Sequence, residues 1–219
     1  MSAPKDARRG AIILAGGPSR RLGRPKALVA IGGVPVLLRV VGAAAAVVDD
    51  VVVVSRGTLA GRIVRILPAG VRFARDSLRI HTPLVGLLAG ATSSWAPHVG
   101  ALACDLPFVE PRLLRRLFAE ANGQDATIPR WPDGRIEPLL AVYRRAALLA
   151  AARASLHAGE RSVHEMIVRI PDVRFVPVAS LRSADPSLRS FMNVNTPADL
   201  VRARRDAVTS KRGGRPRTR

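Results

Sequence analysis

A loop rich in glycine and cationic side chains follows the first apolar segment of the chain. The stretch LAGGPSRRLGRPKAL, residues 14–28, contains Gly16, Gly17, Arg21 and Lys26. Glycines have no Cβ, so their backbone N–H groups can approach anionic oxygens closely, and the cationic side chains add positive charge. The spacing matches neither the P-loop nor the dinucleotide-binding fingerprint. We therefore expect a phosphate-binding loop with a different spacing, which holds a triphosphate. The alternative is a surface loop with a glycine turn and arginines that are solvated.

Carboxylates follow two later apolar segments. Asp105 lies in CDLPF, residues 104–108, and Asp76 ends a weaker segment. An aspartate in such a place can hold Mg²⁺ through one or two oxygens while phosphates fill the other positions. Asp105 could instead cap a helix that begins near Pro111. Asp76 could bind a ribose hydroxyl, approach the metal, or be an ordinary loop residue.

Two asparagines alternate in MNVNTPADL, residues 192–200. On an extended segment Asn193 and Asn195 would face the same side. Their amide oxygens suit a hard metal ion, and their amide nitrogens suit phosphate or pterin oxygens. A plain role in a turn is the alternative. Thr196 and Asp199 have the spacing of a capping box at a helix start.

The net charge of +19 in 219 residues favours an anionic ligand. Of the 35 Lys and Arg residues three are lysines, and Lys26 is the one that falls within the expected folded body. We expect a single domain over residues 1–208 and a basic, disordered tail over 209–219. A single cysteine, Cys104, excludes an internal disulfide, and no apolar run approaches the roughly 20 residues of a membrane span. A cytoplasmic location is the expectation.

Alternating strand and helix patterns must position these residues. The predicted strands cover residues 11–15, 50–55, 70–76, 99–103, 126–130, 135–143 and 172–178. The predicted helices cover residues 34–47, 82–93, 110–121, 145–159 and 196–208. This order predicts an α/β, three-layer α/β/α, Rossmann-like fold with a mostly parallel sheet. In such sheets ligands bind beyond the carboxyl ends of the strands, where loops 16–26, 55–57 and 104–108 would lie.

Taken together, these stretches resemble the molybdenum cofactor guanylyltransferases and their nucleotidyltransferase relatives. The matching motifs run in chain order from residue 11 to about 203: LAGGPSRRLG…K, DS…TPLVGLLAG, CDLPF, EPLLAVYRR, AGERSVHEMIVR and FMNVNTPADL. The resemblance implies a Rossmann-like nucleotidyltransferase that couples GTP to a molybdenum-bearing pterin phosphate and releases pyrophosphate. It also implies transient contact with the enzymes that make the cofactor or receive it.

The resemblance implies a role for each matching residue. Residues that would contact the guanine, ribose or phosphates are Leu14, Ala15, Gly16, Gly17, Lys26, Ser55, Asp76 and Asp105. Asp105 would bind GTP through Mg²⁺, and Lys26 and Arg21 would stabilise the leaving pyrophosphate, which makes these three the candidate catalytic residues. Asn193 and Asn195 would face the second substrate or the metal.

Three substitutions depart from the family pattern: Pro25 replaces an acidic residue, Ser55 an asparagine and Thr82 a glycine. A related cytidylyltransferase group tends to carry LAAG where this chain has LAGG, which favours guanine. A molybdopterin cytidylyltransferase or a sugar-1-phosphate nucleotidyltransferase is the alternative within the same chemistry. A basic nucleic-acid-binding protein is the alternative of another class. Only 4% of the residues are aromatic and no nucleic-acid-binding motif occurs, so we expect no specific nucleic-acid partner and no membrane partner.

Overall fold

The computed structural model describes residues 8–16, 22–76 and 80–212. Its strands are β1 (Arg9–Leu14), β2 (Ala30–Ile31), β3 (Val34–Pro35), β4 (Asp50–Ser55), β5 (Arg72–Arg75), β6 (His98–Ala103), β7 (Ala126–Arg130), β8 (Leu140–Arg144) and β9 (Val173–Pro177). Its α-helices are α1 (Val36–Ala45), α2 (Leu59–Val64), α3 (Pro83–Ser93), α4 (Pro111–Glu120), α5 (Arg145–His157), α6 (Val163–Val168) and α7 (Pro197–Arg212).

Seven strands form one sheet in the order β5-β4-β1-β6-β8-β7-β9. Strand β8 is antiparallel to both of its neighbours, β6 and β7, and every other pairing in this sheet is parallel. The predicted mostly parallel α/β fold is confirmed. A small separate hairpin pairs β2 with β3.

The composition of the central strands explains why both faces of the sheet are covered. All six residues of β4, with sequence DVVVVS, are buried, as parallel strands packed on both faces require. One apolar cluster lies between the sheet and helices α1, α2 and α4. A second cluster lies on the other face, between the sheet and helices α3, α5 and α6. These layers are the three that the alternating pattern predicts.

A third apolar cluster joins the β2–β3 hairpin to α7. Its buried members are Val29, Ile31, Val36, Val194, Leu200, Ala203 and Ala207. The Arg204 guanidinium adds two long hydrogen bonds of 3.4 Å to the carbonyl of Ala30. The cluster brings the chain after the glycine loop together with the chain before α7, which are far apart in sequence.

Several predicted boundaries differ from the structure. The predicted strand over residues 135–143 starts only at Leu140, because residues 131–139 form a loop in which the Trp131 amide donates to the Arg135 carbonyl at 2.8 Å. Helix α7 continues to Arg212, past the predicted helix end at residue 208. Residues 213–219 lie outside the described residues, and the disorder of the tail over 209–219 stays a prediction.

The sequence patterns did not predict the shortest helices and strands. Helices α2 and α6 have six residues each, too few to show a clear periodicity, and the β2–β3 hairpin has two residues in each strand. The caps at longer helices were predicted correctly: Thr82 accepts from the Leu84 amide at 2.9 Å and begins α3. None of the described helices is both long enough and apolar enough to cross a bilayer.

Candidate functional site

The sheet order creates a crevice between the carboxyl ends of β1 and β6. From β1 the chain moves to β4 and β5 on one side and then returns to β6 on the other, so connections leave in opposite directions at this point. Ligands bind at such switch points in open α/β sheets. The Cys104 amide donates to the Leu14 carbonyl at 3.1 Å, which holds the two strand ends together just below the crevice.

Lys26, Asp105 and Asn195 meet at this crevice. Lys26 begins a 3-10 turn, Lys26–Leu28, and its Nζ lies 3.3 Å from Asp105 Oδ2. The same ammonium donates to Asn195 Oδ1, although the two residues are 169 positions apart in the chain. The Lys26 side chain keeps 27% of its accessible surface and the Asp105 side chain 18%, so both side chains are reachable from solvent. Lys26, Asp105 and Asn195 belong to three separate sequence motifs, and in the structure they form one polar cluster.

The Asp105 carboxylate has an acceptor that the described residues do not use. Its Oδ1 is buried and has no hydrogen-bond partner among them. A buried oxygen without a partner is costly unless it binds a ligand, a water or a cation. The alternative in which Asp105 caps a helix is wrong, because the cap position of α4 is Glu110 and no side chain bonds there.

The segment before α7 is positioned by backbone contacts. The Val194 amide donates to the Asp105 carbonyl at 2.9 Å, and the Val194 side chain is buried in the third cluster. The predicted cap is confirmed, since Asp199 accepts from the Thr196 amide at 2.9 Å and its own amide donates to Thr196 Oγ1 at 3.2 Å. Asn193 is exposed, and no contact among the described residues joins it to Lys26 or Asp105.

The end of β1 leads straight into the crevice. Leu14 and Ala15 are buried and Gly16 is exposed. Ser55, at the end of β4, is buried and donates its hydroxyl proton to the Ala15 carbonyl at 3.1 Å, so it holds the strand end in place. Gly17 and Arg21 lie outside the described residues.

Asp76 follows β5, two strands from β1 and therefore about 10 Å along the sheet edge. Its carboxylate lies 3.6 Å from Arg56 Nη1, and its Oδ1 is buried with no hydrogen-bond partner among the described residues. Arg56 also donates to the Ile80 carbonyl at 3.3 Å. A Cβ on Gly16 would lie 3.9 Å from Arg56 Cγ, so this arginine stands between the glycine turn and Asp76. The sequence indicated the loop 55–57, but Arg56 itself was missed.

The surroundings of Cys104 do not favour a nucleophilic thiolate. Burial, with the adjacent Asp105 carboxylate as a second cause, raises the pKa of its thiol to about 12. The thiol therefore stays protonated at neutral pH.

A second group of polar and aromatic residues lies on the other side of the crevice and was missed from the sequence. Loop 131–139 leaves β7 at the same edge of the sheet, and its last residue, Leu139, accepts from the Ala103 amide at 2.9 Å. The Trp131 indole N–H donates to Glu137 Oε1 at 2.7 Å. The Phe191 ring meets the Trp131 ring edge-on, with centroids 5.3 Å apart. These contacts were not predicted, because residues 135–143 were expected to form a strand.

Comparisons with known proteins indicate one family for this chain. Residues 11–173 match the model of the MobA-like NTP transferase domain. A probable molybdenum cofactor guanylyltransferase of Methanosarcina mazei is 38% identical over 200 residues, which cover 88% of each chain. The crystal structure of molybdopterin-guanine dinucleotide biosynthesis protein A from Archaeoglobus fulgidus has a TM-score of 0.78 at 29% identity, with 91% of this chain and 99% of that chain covered.

A Mycobacterium tuberculosis protein crystallised with manganese has the same fold, with a TM-score of 0.57 at 20% identity over 78% of this chain and 88% of its own. At that identity the likeness concerns the fold alone. The family model, in contrast, covers most of the chain, and the archaeal relative is matched over most of its length. On these grounds the chain belongs to the MobA-like NTP transferase family.

Proposed function

We propose that the protein transfers GMP from GTP to the phosphate of molybdenum-bearing molybdopterin and releases pyrophosphate. The observation that carries the proposal is the contact of Lys26 with Asp105 and Asn195 at the switch point of the sheet. An ammonium, a partly open carboxylate and an adjacent glycine turn are the groups that phosphate transfer requires. The names of the Methanosarcina and Archaeoglobus relatives support guanine and molybdopterin as the substrates.

The proposed reaction is a displacement at phosphorus. An oxygen of the acceptor phosphate forms a bond to the α-phosphorus of GTP, and the bond from that phosphorus to the bridging oxygen breaks. The electron pair of the broken bond leaves with pyrophosphate. The acceptor phosphate is already ionised near neutral pH, so no side chain has to remove a proton. Lys26 places its positive charge where negative charge collects on the leaving group, and the backbone orients the nucleotide.

The residues at the crevice fit a divalent metal, and we propose Mg²⁺. Asp105 would hold it through the buried Oδ1 that lacks a partner, and the amide oxygen of Asn195 is a second hard donor nearby. No group of three or more His, Cys, Asp or Glu side chains converges in the described part of the chain, so substrate oxygens and water would complete the coordination, as Mg²⁺ commonly accepts. When bound, the metal neutralises charge on the phosphate oxygens.

Other residues are proposed for substrate contact from their position. The backbone of Leu14, Ala15 and Gly16 faces the nucleotide, and Asp76, at the end of β5, reaches its ribose. Gly17 and Arg21 remain predictions for the phosphates, and Asn193 for the acceptor. We also propose a cytoplasmic location and transient contact with the enzymes that supply or take up molybdopterin.

Base and acceptor are tested in one assay. The protein is incubated with Mg²⁺, molybdopterin and α-labelled GTP, CTP, UTP or ATP in parallel, and label transferred to the pterin is measured. We expect transfer from GTP. Transfer from CTP in preference to GTP, or transfer to a sugar 1-phosphate rather than to molybdopterin, would contradict the proposed substrates while retaining the chemistry.

Replacing Asp105 tests the role of its carboxylate. Asp105→Asn keeps the shape but removes the charge, and we expect kcat to fall by about 10²- to 10³-fold. The matched control is Asp49→Asn, because Asp49 is exposed at the opposite edge of the sheet, where it accepts from the Arg9 amide at 3.1 Å. A kcat in Asp105→Asn equal to that of the control would exclude the proposed role of Asp105.

A further inference from the structure

A cavity of about 440 Å³ opens at the carboxyl edge of the sheet between the ends of β7 and β9. Trp131, Gly134, Pro177 and Val178 are among its lining residues. Its size is that of a small-molecule site, and its lining combines apolar side chains with an indole ring. The proposed nucleotide residues lie on the other half of the sheet, at the ends of β1, β4 and β5. The cavity therefore lies apart from the proposed nucleotide site and has room for part of the second substrate.

The Trp131 side chain is held in one orientation. Its indole N–H donates to Glu137 Oε1 at 2.7 Å, and its backbone amide donates to the Arg135 carbonyl at 2.8 Å. The Phe191 ring packs against it at 69° between the ring planes. An aromatic ring with fixed neighbours loses little conformational freedom when a flat ligand stacks on it.

Among the described residues that line the cavity, Arg130 carries the charge. Its guanidinium lies 5.0 Å from the Phe175 ring centroid. Arg135 lies 5.5 Å from the Trp131 ring centroid, but its Nε is paired with Asp133 Oδ2 at 2.7 Å. A ligand that joins a flat heterocycle to an anionic group complements an indole beside the Arg130 guanidinium.

The cavity and the phosphate-binding cluster share one edge of the sheet. Strand β7 is two places from β6, so Trp131 lies on the order of 10 Å from the strand end that carries Asp105. Phe191, which touches Trp131, is also four positions before Asn195, which touches Lys26. A single acceptor could place its phosphate at Lys26 and Asp105 and its ring at Trp131.

We propose that Trp131 forms the binding wall for the pterin ring of the acceptor, with Glu137 as the residue that positions the indole. This assignment rests on the proposed function, since it names where that acceptor binds. It places the nucleotide at the β1–β4–β5 half of the edge and the pterin at the β7–β9 half. The reacting phosphates then meet at Asp105, between the two halves.

Fluorescence of Trp131 tests the site without turnover. The chain has two tryptophans, and Trp95 is 45% exposed just before β6, at the opposite edge of the sheet. In Trp95→Phe, the remaining indole emission reports on Trp131. Titration with a 6-substituted pterin monophosphate should quench this emission with saturation, because a stacked pterin accepts the excitation energy. The same titration of Trp131→Ala, where Trp95 remains and binding is weakened, should show no saturable quenching over the same concentration range.

Steady-state kinetics distinguishes the proposed role of Trp131 in pterin binding from the proposed catalytic role of Lys26 and Asp105. Trp131→Ala should raise KM for molybdopterin by between about 5- and 150-fold, the range that follows from loss of an aromatic side chain on which a nucleobase stacks, with KM for GTP unchanged. Trp131→Phe should recover most of the loss, and Glu137→Gln should raise the same KM by a smaller factor. Normal GMP transfer with an unquenched Trp131 and an unchanged KM in Trp131→Ala would overturn the pterin site alone. Absence of GMP transfer to molybdopterin in the unaltered protein would instead overturn the proposed function.

Discussion

Removal of the Lys26 ammonium should affect catalysis far more than folding. In the free protein Lys26 Nζ lies 3.3 Å from Asp105 Oδ2, and at an effective dielectric constant of 20 this corresponds to about 5 kcal/mol of direct attraction. Desolvation and side-chain ordering offset most of it, because the groups keep 27% and 18% of their accessible surface. Pairs exposed to this degree stabilise folding by about 1 kcal/mol or less. We therefore expect Lys26→Ala to lower Tm by no more than about 4 °C.

The effect on transfer is larger because the charge on the leaving pyrophosphate grows in the transition state. Loss of one positioned donor in a phosphate or oxyanion site typically costs 10²- to 10³-fold in rate, or about 2.7–4 kcal/mol. The assay is transfer of label from α-labelled GTP to molybdopterin, with Tm measured on the same preparations. Lys26→Arg should recover only part of the activity, since a flat guanidinium cannot replace a compact ammonium between two oxygens.

Arg116→Ala is the matched control, because it removes one positive charge from a half-exposed side chain on α4 that pairs with Glu120 at 2.5 Å. Both variants lower the net charge by one, so a general effect of charge on nucleotide attraction appears equally in both. A kcat/KM for Lys26→Ala within ten-fold of this control, at an unchanged Tm, would refute the assignment of Lys26 to the phosphates. A large fall in Tm would refute the estimate that the ion pair contributes little to folding.

Two further predictions concern the scaffold. Gly90→Ala in α3 should lower the free energy of unfolding by about 1–2 kcal/mol, because the new Cβ would overlap the Ile12 side chain. Gly42→Ala in α1 places its Cβ in open space and should raise the free energy of unfolding by up to about 1 kcal/mol. Chemical denaturation of both variants measures the difference, and equal shifts would contradict the packing argument. Hydrogen bonds from Arg169 lower the pKa of Glu160 to about 2, so the stabilisation by this pair is present above the ordinary Glu range and is lost as pH falls toward 2. In Arg169→Gln an NMR titration should find the Glu160 pKa raised toward its ordinary value, because the larger of the two hydrogen-bond causes, Arg169 before Ser155, is removed. A pKa still near 2 would contradict that cause.

Much of the fold could be predicted because local sequence patterns determine which segments form buried strands and helices. The buried run DVVVVS of β4 needs cover on both faces, so it predicts a central parallel strand without knowledge of its neighbours. Asp105 and Lys26 could be predicted as candidates for the same reason: a carboxylate after a strand and a lysine in a glycine loop are local features. Their contact is not local, since 79 positions separate them, and it depends on which strands become neighbours.

The error at residues 135–143 has the opposite origin. The apolar content of RIEPLLAVY is compatible with a strand. Its second half, from Leu140, forms strand β8 and pairs with β6 and β7, whereas the first half makes one isolated antiparallel bridge, between Ile136 and Arg130. The first half turns because Gly134 has φ of 87° and the Glu137 amide donates back to the Pro129 carbonyl at 3.0 Å. The residue that packs on this loop, Phe191, is supplied from a distant part of the chain. No local pattern predicts such a partner, so the proposed pterin wall could not be predicted from the sequence.

The use of lysine at position 26 follows from the geometry of the crevice. The chain carries 35 Lys and Arg residues, of which three are lysines, so arginine is its usual cation. At this position one nitrogen contacts oxygens of both Asp105 and Asn195. A tetrahedral ammonium on a flexible stem can keep one of these bonds while it turns toward a phosphate, whereas a planar guanidinium directs its donors along fixed lines. The third apolar cluster holds the hairpin against α7 and so keeps Asn195 within reach. The same cluster therefore couples the packing of the last helix to the position of the charge that acts on the phosphates.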